Sequence, residues 1–246
     1  GGKQASAVKT YASTVKAVWR WAREHYPDDV AEVDMPAVRT PPPKNVAAPT
    51  WEQLDAALAE LTERAAGVRR AMLVARWTGL RIGQASGVTW GDLRHDWQGL
   101  GPALNIGPAL SKTEAEAALD RWIPVISDLW RLLLAWQMAD GRPPESTPLV
   151  GPDFPRDPAD TMNGAFARAG IDPRFWRGHP THVARKRMNT HLAVQLADIP
   201  RRYFMGRSEP TVEGAHYIDA RELFPVIRAA LETIPALPDA FAAAVA

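Results

Sequence analysis

The sequence predicts a mainly α chain that carries a small antiparallel β-sheet, an α+β arrangement. Three observations carry this expectation. Apolar residues recur at helical spacing through most segments that lie between glycine and proline breakers. Only two short runs, Leu104-Asn105-Ile106 and Arg121-Trp122-Ile123-Pro124-Val125, have the apolar, turn-bounded character of strands. Hydrophobic residues make up 46% and charged residues 23% of the 246 residues, a globular balance that argues against a disordered or collagen-like chain.

From Ala5 to Tyr26, the apolar residues Val8, Tyr11, Val15, Val18, Trp19 and Ala22 recur with basic residues between them, which predicts one amphipathic helix. Pro27 and the acidic stretch 28–34 end it. A lone helix cannot bury its own apolar face, so residues 1–37 read as the last helix of a truncated helical domain. The start at Gly1-Gly2-Lys3 reads as that of an excised fragment. Prolines at 36, 41, 42, 43 and 49 stiffen the connector, with the linker placed at residues 38–49 and Lys44 inside it. A second domain is expected over residues 50–246.

That domain opens with Thr50-Trp51-Glu52-Gln53, a capping box in which the Thr50 hydroxyl accepts from the first turn and Gln53 reaches back. A helix follows from about Trp51. Another is expected from about Ala66 through Trp77, ended by Gly79, and a shorter one after Arg81. Beyond the sheet, helices return at about Asp128–Asp140, Pro158–Ala169, Thr181–Gln195, Pro200–Met205 and Glu222–Thr233, with Gly141, Pro143-Pro144 and Gly170 as breakers. Most of the ten tryptophans occupy apolar periodic positions and are expected to pack cores.

The absence of cysteine excludes a disulfide scaffold, a thiolate nucleophile, a cysteine-held zinc and an iron–sulfur cluster, and favours a cytoplasmic setting. No apolar stretch approaches the roughly 18 residues that a membrane span needs, so no membrane partner is expected. A net charge of +1 gives no overall bias. Its distribution is informative: residues 174–207 hold Arg174, Arg177, Arg185, Lys186, Arg187, Arg201, Arg202 and Arg207 against the single acid Asp198. Such a cluster suits the neutralisation of phosphates.

Cleaving a phosphodiester without a metal requires cations on the non-bridging oxygens, a nucleophile and a proton carrier. Arg81 and Arg185 offer guanidinium forks that match phosphate oxygens. Tyr217 is a candidate nucleophile, whose phenol, with an ordinary pKa of about 10, needs a base or a positive field. His182 stands one helical turn before Arg185, on the same face, and suits proton transfer.

These residues sit in recognisable surroundings. Thr78-Gly79-Leu80-Arg81 followed by Val88-Thr89-Trp90-Gly91-Asp92, then Lys112-Thr113, then His182-Val183-Ala184-Arg185 with Thr190-His191-Leu192, then Met205-Gly206-Arg207-Ser208 and Ala215-His216-Tyr217-Ile218-Asp219 form an ordered series. In order and rough spacing this series resembles the signature boxes of the tyrosine recombinase (phage integrase) family, from about Thr50 to the C terminus. The resemblance implies that family's catalytic-domain fold, with residues 1–37 as the C-terminal helix of a core-binding, SAM-like domain. It implies a site of Arg81, Lys112, His182, Arg185 and Arg207 around the nucleophile Tyr217, with Lys112 protonating the leaving 5′ oxygen. The implied activity is site-specific DNA recombination or integration through a 3′-phosphotyrosyl intermediate, with no metal, ATP or other cofactor. Lys44, Lys186, Arg187, Arg201 and Arg202 are the expected DNA contacts. The implied partners are double-stranded DNA, further copies of the chain in a synaptic tetramer, and an accessory directionality factor, in a bacterial, nucleoid-associated cytoplasmic setting. The apolar end Phe241–Ala246 fits assembly.

Some positions depart from the family's pattern. Lys186 follows Arg185 where His is usual, and Gln84 stands three residues after Arg81 where an acid is usual. Arg207 takes the place of a His or Trp that donates to the scissile phosphate, and arginine donates but cannot act as a base. The spacing from Arg207 to Tyr217 is about one residue longer than usual. These departures keep a catalytically impaired, DNA-binding relative open as the alternative.

Overall fold

The computed structural model describes residues 2–30, 47–110, 121–152, 154–207 and 219–238. The chain divides into two compact units, Gly1–Val46 and Ala47–Ala246. The first contains helix α1 (Gly2–His25). Tyr11, Val15, Val18 and Trp21 follow one another at helical spacing and are each at least 52% exposed. Near its end the rings of Trp21 and His25 stack at 4.6 Å, and His25 Nδ1 lies 2.9 Å from the Trp21 carbonyl.

The second unit begins with the capping box that its sequence predicts. Gln53 N–H donates to Thr50 Oγ1 at 3.2 Å and Thr50 N–H donates to Gln53 Oε1 at 2.9 Å, which starts α2 (Trp51–Ala59). α3 (Ala66–Thr78) is buried on every side over its last two turns, and Gly79, at φ +63°, closes it. A helix apolar all round belongs at the centre of a bundle. One charge interrupts it: Arg76, fully buried, makes a two-pronged pair with Asp55 at 2.7 and 2.9 Å and donates to the Pro235 carbonyl at 2.8 Å. Its guanidinium lies over the rings of Trp51 and Trp77 at 5.0 and 4.7 Å. Burial pushes the Asp55 carboxyl up, while its bond to Arg76 opposes that shift.

α4 (Ile82–Gly87) leads into an antiparallel sheet of β1 (Leu93–Arg94), β2 (Ala103–Ile106) and β3 (Arg121–Pro124), in that order. Leu93 faces Leu104, and Leu104 faces Ile123. The helices α5 (Ser127–Ala139), α6 (Ala159–Arg168), α7 (Pro173–Trp176), α8 (Val183–Gln195), α9 (Asp198–Phe204) and α10 (Ala220–Leu231) complete the unit.

The differences from expectation are local. β1 was not anticipated, because two residues are too few to show alternation. The short α7 also went unpredicted; it forms where the Asp172 side chain accepts from Arg174 N–H and Pro173 opens the turn. The single helix expected from Thr181 is divided into a 3₁₀ turn, Pro180–His182, and α8, so His182 stands at the junction. Trp51, Trp77, Trp90, Trp97 and Trp136 are buried, whereas Trp21 is half exposed. Among the described residues no helix is long and apolar enough to cross a membrane.

Candidate active site

The site is assembled from turns. Gly79 ends α3 in the left-handed region, and a Cβ there would lie 2.9 Å from Met188 Cγ and 3.1 Å from Met205 Sδ. Glycine is therefore required twice over, by its φ and by the approach of α8 and the end of α9. Two residues later Arg81, half-buried, takes the N-cap position of α4. Its backbone N–H donates to Gln84 Oε1 at 3.1 Å, and Gln84 Nε2 donates to the Leu110 carbonyl at 3.0 Å.

Arg185, in the first turn of α8, reaches back to this turn. Nη1 donates to the Gly79 carbonyl at 2.7 Å and Nη2 to the Met205 carbonyl at 2.5 Å. The turn before Arg81 and the turn before Arg207 are thus held on one guanidinium. Five N–H donors make such anchoring compatible with contact to an anion. Arg207 is exposed, its backbone N–H donating to the Arg202 carbonyl at 3.0 Å beyond Gly206 at φ +58°. His182 is also exposed, with its ring edge-on to that of His179 at 6.1 Å. Lys44, Lys112, Tyr217, Ser208 and His216 lie outside the described residues.

The basic cluster is more evenly balanced than its sequence window shows. Arg201 and Arg202 share Asp198 at 2.6 and 3.8 Å, and Arg201's hydrogen bond holds the Asp198 carboxyl below the usual carboxylate range. Arg174 pairs with Asp172, just upstream of the window, at 2.7 Å. Such solvent-exposed pairs are weak and are screened by salt. Lys186 Nζ donates to the Ala47 carbonyl at 3.0 Å, and burial pushes its ammonium pKa down. Arg187 lies over the Trp51 ring at 5.2 Å.

Other residues in the boxes serve the framework. Asp92 Oδ2 accepts from both the N–H and the hydroxyl of Thr89 at 2.9 Å, while Trp90 and Gly91 N–H donate to the carbonyls of Thr147 and Glu145. His191 Nε2 lies 2.9 Å from Thr233 Oγ1 and its ring meets Trp51 edge-on at 5.8 Å, which ties α8 to the end of α10. Burial pushes the His191 pKa down. Tyr203, which sequence reasoning did not single out, is buried on α9 and its hydroxyl oxygen accepts from Trp122 N–H on β3 at 3.0 Å. An aromatic residue two positions before Met205 was the one available signal. Among the described residues no three His, Asp or Glu side chains converge in a way that could hold a metal ion.

The sequence matches no protein-family model and no curated protein. Among solved structures, the chain is similar to the integrase from mycobacterium phage Brujita, with a TM-score of 0.51 and 18% identity over 96% of this chain and 76% of that one. That likeness establishes the fold: the mainly α chain with its small antiparallel sheet is arranged as in a phage integrase.

Proposed function

We propose that the chain is a site-specific DNA recombinase of the tyrosine type, which cleaves and rejoins strands through a 3′-phosphotyrosyl intermediate. The observation that carries this reading is the Arg185 fork, which draws the turns beside Arg81 and Arg207 onto one side chain. Likeness of fold to a phage integrase supports it. In this reading Arg81, Arg185 and Arg207 hold the scissile phosphate and offset the charge of the transition state. Tyr217 attacks phosphorus, His182 takes the phenolic proton, and Lys112 protonates the departing 5′ oxygen. Lys44, Lys186, Arg187, Arg201 and Arg202 grip the backbone of double-stranded DNA. Residues 1–37 belong to a core-binding domain, of which α1 is the last helix, joined by the linker 38–49. The enzyme works as a tetramer on paired sites, with a directionality factor as accessory partner, in a bacterial cytoplasm.

A second reading, a DNA-binding relative that does not cleave, is favoured by Arg207, which cannot serve as a base. DNA binding across a salt series, run beside a strand-cleavage assay, separates the two. Steeply salt-dependent binding together with cleavage that Tyr217→Phe abolishes supports the recombinase; binding without cleavage supports the relative. Absence of salt-dependent binding contradicts both.

A further inference from the structure

Residues 173–197 contain no Asp or Glu. Most cations in this stretch and just beyond it are nevertheless committed within the chain. Arg185 donates to the Gly79 and Met205 carbonyls, Lys186 donates to the Ala47 carbonyl, and Arg187 lies over Trp51. Arg174 pairs with Asp172, Arg201 and Arg202 pair with Asp198, and Arg207 acts on Asp198 through space. Arg177 is the exception: it is exposed, and among the described residues its side chain makes no hydrogen bond, ion pair or ring contact. The turn that presents it is firmly anchored. Arg177 N–H donates to the Pro173 carbonyl at 2.8 Å and His179 N–H to the Trp176 carbonyl at 3.1 Å. Trp176 stacks on the fully buried Phe166 at 5.8 Å and donates to the Ile171 carbonyl, while Pro180, beyond the turn, is buried. Between these anchors Arg177, Gly178 and His179 are exposed, and nothing lies within 4 Å of where a Gly178 Cβ would stand. The His179 ring meets that of His182 at 6.1 Å.

We propose that residues 177–182 form a second phosphate-binding edge, in which Arg177 takes a DNA backbone phosphate next to the scissile one. This deepens the function proposed above and rests on it. His182 and Arg185 act at the scissile phosphate in that reading, so the edge begins where the reaction takes place. A phosphate arriving at Arg201 or Arg202 competes with Asp198, whereas at Arg177 it displaces only water. The guanidinium fork matches the phosphate oxygens. His179, exposed on the same turn, adds a ring N–H donor. Holding the neighbouring phosphate fixes the strand against the site, which is how contacts away from the reacting atoms aid a reaction.

The test measures affinity of the whole chain for a short duplex of random sequence between about 50 and 200 mM salt. Loss of one phosphate contact makes the slope of log K against log salt shallower by about 0.9, the result expected for Arg177→Gln. Arg177→Lys, which keeps a point charge, should recover most of the slope. Arg174→Gln makes the same change of charge three residues away, at a residue paired with Asp172, and should keep the parent's slope. A second arm places a neutral methylphosphonate, one position at a time, on the phosphates flanking the scissile one in nicked suicide DNA. At one position the parent should form adduct about tenfold more slowly, and Arg177→Gln should be slowed no further there. A parent-like slope for Arg177→Gln, equal shallowing by Arg174→Gln, or additive losses at every flanking position overturns the proposal. Binding by the parent that ignores salt overturns the functional reading and this proposal together. If the parent binds steeply but forms no adduct, the recombinase reading falls, and the slopes still decide whether Arg177 holds a phosphate.

Discussion

The Arg185 guanidinium donates to the Gly79 carbonyl at 2.7 Å across 106 residues of sequence. Its other prong reaches the carbonyl of Met205, which is fully buried. An ammonium is a single point and cannot span both carbonyls as a fork does. A buried carbonyl left unmet costs about 1–3 kcal/mol. Arg185→Lys is therefore expected to melt several degrees below the parent, at roughly 2–4 °C per kcal/mol for a domain of this size, and to lose DNA cleavage. Unchanged melting in differential scanning calorimetry would show that the fork does not join these turns.

Gly79→Ala tests the same junction from the other side. The substitution places a Cβ at φ +63° and within 2.9 Å of Met188 Cγ. Strain of this kind costs about 1–3 kcal/mol. Urea unfolding is expected to show a lower midpoint with an unchanged slope, and a parent-like midpoint would contradict the crowding of α8 against this turn.

What was legible in the sequence was local. The Thr50–Gln53 capping box and the Gly79 stop are each complete within a few residues, so pattern alone located α2 and the end of α3. The His182 junction was not legible, because Thr181 and the following residues read as one helix until the turn geometry separates them. Arg76 and Asp55 are 21 residues apart, and nothing in either neighbourhood marks them as partners. The same holds for Gln84, which stood out only as an unusual residue; its meaning lies in a carbonyl 26 residues away. The basic window 174–207 omitted Asp172 by two positions, and so overstated the unpaired charge.

Removing one member of the buried pair is expected to be severe. Asp55→Ala strands the Arg76 guanidinium among Trp51, Trp77 and the core, a loss of about 3–5 kcal/mol. Chemical denaturation of the variant checks this. A loss below about 1 kcal/mol would mean that the Pro235 carbonyl and the two rings suffice to hold the charge.

His191 gives a pH dependence whose direction follows from its environment. Burial lowers its pKa below the usual value of 6.5, with Arg187 acting in the same sense and the Ala230 carbonyl opposing. The unfolded chain therefore binds the proton first as pH falls. Stability from the neutral ring, packed on Trp51 and bonded to Thr233, is fully present above pH 6.5 and is lost as the pH drops through the lowered folded value. Melting temperature between pH 7.5 and 5 should fall more steeply for the parent than for His191→Gln. Parallel curves would contradict the assignment.

We propose that Tyr217 becomes covalently joined to DNA at a site shaped by Arg81 and Arg185. It is tested most directly by trapping the protein on nicked suicide DNA from its native locus, digesting the complex and locating the modified peptide by mass spectrometry. A 3′-phosphonucleotide on Tyr217, absent from Tyr217→Phe and from Arg185→Lys, is the predicted result. DNA bound without any adduct, or an adduct on a different residue, would contradict it.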